Sequence, residues 1–154
     1  MTFDNFIKEY SKKGLLKNQT VDFKSIENHI ARALKELNAA QANIAIDEGI
    51  AYTIAYTALL HAGRALMFFK GYRPTDGYQH KTVVEFCIIV LGDKYKELTA
   101  HFDRMRRKRN IFTYEVNISI SPTEVKNSLK TANEFVNLIK ETITKTSPQH
   151  KFKF

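Results

Sequence analysis

The segment from Glu48 to Lys70 reads EGIAYTIAYTALLHAGRALMFFK and is apolar around most of a helical circumference. A helix of that kind has to be surrounded, so it belongs at the centre of a bundle. Its length would also suit a membrane span. His61 and Arg64 argue against that, because an arginine deep in a lone span costs about 2.5–3.5 kcal/mol or more.

The flanking segments supply the surrounding helices. Phe3 to Lys12 predicts a short helix ending near Gly14. Ile26, Ile30, Ala33, Leu37, Ala40 and Ile44 recur at helical spacing behind Asp22, a capping residue. Asp47 and Glu48 favour the start of the central helix, where acids complement the N-terminal dipole. GYRPTDGYQ, Gly71 to Gln79, reads as a loop, with Tyr72 and Tyr78 free to line a partner or nucleotide surface. A helix from His80 to Leu91 breaks at Gly92-Asp93, and another begins near Lys94. After Tyr114 the pattern EVNISIS favours an extended connection. Ser121, Pro122 and Glu124 then mark a last helix carrying Val125, Leu129, Ala132, Phe135, Ile139 and Ile143.

The expected fold is all-α, an antiparallel bundle of about five to six helices. Residues 1–145 form one domain, and 146–154 a basic tail expected to be flexible. Strand-helix alternation and a Gly-rich phosphate loop are missing from the pattern, which argues against nucleotide-binding α/β chemistry. Cys87, the single cysteine, lies in an apolar run and reads as a buried, inert thiol. The N-terminus lacks an apolar signal-peptide core, so a cytoplasmic location is expected. The histidines lack paired spacing, and neither a metal nor a cofactor is expected.

Formal charge is +8, which favours an anionic partner. Much of the excess sits in DRMRRKRNIFTYE, Asp103 to Glu115, which holds Arg104, Arg106, Arg107, Lys108 and Arg109 with Asp103 as the nearby acid. Like charges at helical spacing repel by a few tenths of a kcal/mol per pair. At about 100° per residue, Phe102, Met105 and Phe112 fall within about 40° of Leu98, and Arg109 lies in the middle of that stripe. An inward-facing arginine needs an acid, such as Glu48 or Glu85, or a ligand. Tyr114 is about 140° around the helix from Arg109. The two converge only if the helix ends between them or if they meet across an oligomer axis.

The chain resembles HEPN-domain proteins over roughly Phe23 to Ile143. AYTIAYTALLHAGRALMFFKGYRP (Ala51 to Pro74), QHKTVVEF (Gln79 to Phe86) and MRRKRNIFTYE (Met105 to Glu115) carry the resemblance. It implies an antiparallel helical bundle that dimerises. In active members an arginine, a polar residue after it and a histidine a few residues on meet in a cleft between protomers and cleave RNA without metal. Many such proteins are toxins of toxin–antitoxin pairs, neutralised by a minimal nucleotidyltransferase.

Carried onto this chain, the motif arginine is Arg109 and the polar residue Asn110, with Tyr114 where the histidine would stand. An imidazole near ~6.5 exchanges protons at neutral pH, whereas a phenol near ~10 does so poorly. Weak or absent cleavage is therefore expected of those residues alone. Arg109 would bind phosphate, and Arg104, Arg106, Arg107 and Lys108 would form a nucleic-acid track. His101, His80 and His61, with Arg64 close to His61 on the central helix, are the supporting candidates. The alternative is a non-catalytic interaction module that docks a nucleotidyltransferase or another protein.

Overall fold

Thr2, Asp22, Asp47 and Ser121 each start a helix in the computed structural model, their side-chain oxygens accepting from the backbone N–H of Asn5, Lys24, Ile50 and Glu124. These local caps satisfy amides that have no partner within the helix. The structure describes residues 1–75, 79–117 and 119–154, without the Thr113 side chain. In chain order the helices are α1 (Phe3–Lys12), α2 (Phe23–Asn43), α3 (Glu48–Phe69), α4 (Gln79–Leu91), α5 (Lys96–Tyr114) and α6 (Pro122–Thr146). A 3₁₀ turn at Asp93–Tyr95 leads into α5. The result is an all-α, six-helix antiparallel bundle.

Helix α3 is the axis of the bundle, packing against α2, α4, α5 and α6. Its buried residues include Tyr52, Tyr56, Leu59, Leu66 and Met67, on several sides of the helix. Gly63 marks a close approach between helices. A Cβ there would lie 2.6 Å from Val83 Cγ1 and 3.2 Å from Cys87 Sγ, so the missing side chain lets α4 seat against α3. Cys87 is fully buried, and burial pushes its thiol far up in pKa, consistent with an inert core residue.

Part of the segment expected as a loop is ordered differently. Strands β1 (Leu16–Asn18) and β2 (Tyr72–Pro74) form a small antiparallel ribbon, with Leu16 opposite Pro74 and Asn18 opposite Tyr72. Gly71, at φ +88°, supplies the left-handed turn out of α3, and its carbonyl accepts from Gln19 N at 2.8 Å. Tyr72 is not free: it packs against Phe3 and Phe86, at centroid distances of 6.1 and 6.2 Å. Tyr78 lies outside the described residues.

The chain beyond Thr146 has contacts of its own. His150 stacks on Phe23 at 4.3 Å, and Phe152 packs edge-on against the same ring at 5.3 Å. Glu27 on α2 accepts from Lys153 N at 3.2 Å and lies 3.3 Å from His150 Nε2. The backbone hydrogen bond from Lys153 is the main reason the Glu27 carboxyl is held below its ordinary pKa. After Tyr114, Glu115 is extended, Val116 and Asn117 turn, and Ile120 is buried. Ile118 lies outside the described residues.

Candidate functional site

Helix α5 buries Phe102 and Met105 completely, with Leu98 and Phe112 partly buried along the same stripe. The helix continues past Arg109 to Tyr114, because Phe112 packs edge-on against Tyr52 at 5.8 Å and Glu115 N still bonds to Ile111 O at 2.9 Å. Within one chain, therefore, Tyr114 does not turn back toward Arg109. Tyr114 is 87% exposed, and Asn110 is exposed too.

The cations of α5 are better compensated than their local sequence suggests. Asp103 takes both Arg106 (Nε to Oδ1, 3.0 Å) and Arg107 (2.6 Å). Lys108 reaches Glu124, the third residue of α6, with contacts of 2.7 and 2.8 Å. Arg104 lines an open cleft of about 620 Å³ between α5 and α6, together with His101, Thr131 and Lys130.

Arg106 and Arg109 belong to a second group, assembled from three helices. The Tyr56 hydroxyl of α3 lies 2.9 Å from His80 Nδ1, in the first turn of α4. About two helical turns farther along α3, Arg64 donates to Gln79 Oε1 at 3.0 Å. Burial depresses the pKa of His80, and the charges of Arg109, Arg64 and Arg106 depress it further, in that order. Burial drives the Tyr56 phenol up, although the same arginines pull it down, so it remains protonated at neutral pH. A protonated hydroxyl can donate to Nδ1 or accept from it, leaving the other imidazole nitrogen able to play either role.

A family model described as HEPN domain matches residues 26–142. The chain belongs to the HEPN domain family. No curated protein matches the sequence. The match spans α3, α4 and α5, the three helices that bring Arg64, His80 and Arg109 together.

Of the histidines singled out in the sequence, this HEPN domain places His80 in the field of Arg109. His101 Nδ1 lies 2.6 Å from Thr131 Oγ1 and faces the α5–α6 cleft beside Arg104. His61 Nδ1 is 2.6 Å from Glu36 Oε1, out of line for a hydrogen bond, with Arg32 on the same oxygen at 3.2 Å. That group ties α3 to α2. Tyr56 and Gln79 were missed as site residues. The signal for Tyr56 was weak: it lies about 80° from Arg64 around α3, on a helix where nearly every position is buried. Among the described residues, no three His, Cys, Asp or Glu side chains are grouped to hold a metal, and no helix is long and apolar enough to cross a membrane.

Three histidines of this HEPN domain, His29, His80 and His101, have pKa values depressed chiefly by burial. The unfolded chain takes up those protons near ~6.5, the folded chain only at lower pH. Between those values the unfolded state binds more protons, so the stabilisation is full above ~6.5 and is lost as pH falls below it. The thermal midpoint is expected to drop between pH 7.5 and pH 5, ahead of carboxylate protonation. A midpoint that stays flat across that interval would contradict the assignment.

Proposed function

We propose that this HEPN protein is an RNA-binding, ribonuclease-type toxin component of a toxin–antitoxin pair, acting as a cytoplasmic homodimer. The observation that carries the reading is the gathering of Arg64, Arg106 and Arg109, from two helices, around the Tyr56–His80 pair. Guanidinium groups suit phosphate, which they meet with paired, charge-assisted hydrogen bonds. The excess charge of +8 supports an anionic ligand of extended form. Asn110 and Tyr114, exposed at the end of α5, would complete the site across a dimer axis, with Tyr114 as a hydrogen-bond donor. Arg104, Arg107 and Lys108 would extend the phosphate track.

Binding of a single-stranded RNA is expected to weaken steeply with salt. Each neutralised phosphate on a single strand contributes about 0.7 to the logarithmic slope, so three arginines give a loss of roughly 20-fold between about 50 and 200 mM salt. Fluorescence anisotropy with a labelled oligonucleotide measures this directly. Undetectable or salt-insensitive binding sinks the reading.

One feature favours the second reading, a non-catalytic module that docks a nucleotidyltransferase. Ile111, Tyr114 and Val116 are 45%, 87% and 95% exposed at the end of α5, an apolar surface beside the cations. A stable complex with a nucleotidyltransferase encoded next to this chain, with RNA neither bound nor cut, would select that reading.

A further inference from the structure

On α5, Tyr114 is exposed at the helix end and His101 faces the α5–α6 cleft on Thr131, so a proton-transfer group for the Arg109 site has to be sought on another helix. His80 fits the requirement by position. Its ring is held at Nδ1 by Tyr56, a side chain only 1% exposed that packs on Phe102 at 6.0 Å. The Gln79 side chain beside it is fixed by Arg64. Among the described residues, the charged groups facing His80 are Arg64 from α3 and Arg106 and Arg109 from α5. Asp103, which pairs with Arg106, acts on the Tyr56 hydroxyl.

We propose that His80 is the catalytic residue that moves the proton when this site cleaves RNA, its imidazole oriented by Tyr56 and its phosphodiester substrate held by Arg64 and Arg109. This rests on the RNA reading above and replaces the expected α5 partner of Arg109 with a residue of α4. In the reaction the ribose 2′-oxygen attacks the adjacent phosphorus and the bond from phosphorus to the 5′-oxygen breaks. His80 Nε2 accepts the 2′-hydroxyl proton, while Tyr56 accepts from Nδ1–H. The proton then passes to the departing 5′-oxygen. The products are a 2′,3′-cyclic phosphate and a 5′-hydroxyl, with no other reactant and no net change in protons. The arginines offset charge on the non-bridging oxygens as the transition state forms. They also keep the imidazole neutral, the form a base requires.

The test uses the full chain and a labelled single-stranded RNA of mixed sequence, with its all-deoxy counterpart. Wild type is expected to bind both strands, to cut only the RNA, and to leave cyclic phosphate ends. His80→Ala should lose cleavage by about 100-fold or more while binding RNA as wild type does, and imidazole in the buffer should restore part of the rate. His80→Gln, which keeps a polar group near Tyr56, guards against a folding defect and should be equally inactive. Tyr56→Phe should shift the acid limb of the pH–rate profile, and His150→Gln, in the C-terminal segment, should match wild type. RNA that is bound but not cut, or cleavage that survives in both His80 variants, overturns the proposal and leaves the RNA-binding reading standing. Failure to bind RNA at all overturns both.

Discussion

Phe102→Ala is expected to destabilise the bundle by about 3–5 kcal/mol, the usual cost of emptying a buried aromatic site. Phe102 has no exposed surface and sits where α5, α3 and α6 meet, 6.0 Å from the Tyr56 ring and 5.2 Å from Phe135. The backbone of Gly63 closes the same site, 3.6 Å from Phe102 to a Cβ built there. Three helices fixed against one another cannot collapse into the void. At about 2–4 °C per kcal/mol for a domain of this size, the thermal midpoint should fall by roughly 10 °C. Phe102→Leu, which fills most of the volume, should cost far less. A midpoint shift for the alanine variant of under about 3 °C would mean that the core is not packed as described.

The second large effect concerns the arginines. Arg64→Gln combined with Arg109→Gln removes two charges while retaining amide hydrogen bonding. Charge-assisted hydrogen bonds are worth about 1.5–3 kcal/mol each, so low-salt RNA affinity should fall by roughly 100-fold or more. The logarithmic salt slope should flatten by about 1.4, since two phosphates lose their partners. The same variant should let the His80 pKa rise, because two of the three charges that depress it are gone. The imidazole signals in an NMR titration report that shift without any RNA present. Unchanged affinity and slope would remove these two side chains from the interface.

Features encoded by neighbouring residues were legible in the sequence. Ser121, Pro122 and Glu124 marked the start of α6 because a helix cap is made within a few residues. Asp22 and Asp47 did the same for α2 and α3. Phasing along α5 correctly separated Phe102 and Met105 from the outward cations, because α5 is regular over that span. Family membership was legible too, since the residues carrying it lie in continuous stretches.

What escaped depends on partners distant in sequence. Lys108 looked uncompensated until α6 brought Glu124 beside it. Tyr72 looked free, yet its strand pairs with residues near position 18, and its ring meets Phe3 and Phe86. His80 was one histidine among several until Tyr56 and the arginines of α5 were placed around it. The convergence of Arg109 and Tyr114 required α5 to end between them, and packing of Phe112 on Tyr52 accompanies a helix that runs to Tyr114, where the local pattern changes. Tyr114 is left exposed at the end of that helix.

The small ribbon has a consequence for how the histidine is held. Thr75 is tied to the opposite strand by its amide, 3.1 Å from Leu15 O, and by its hydroxyl, 2.6 Å from Gly14 O. The ribbon also touches the helix that carries His80, because Tyr72 packs on Phe86 of α4 at a centroid distance of 6.2 Å. The α1–α2 connection thereby acts as a remote brace for His80, and damage at Leu16 or Thr75 should loosen the imidazole without touching it.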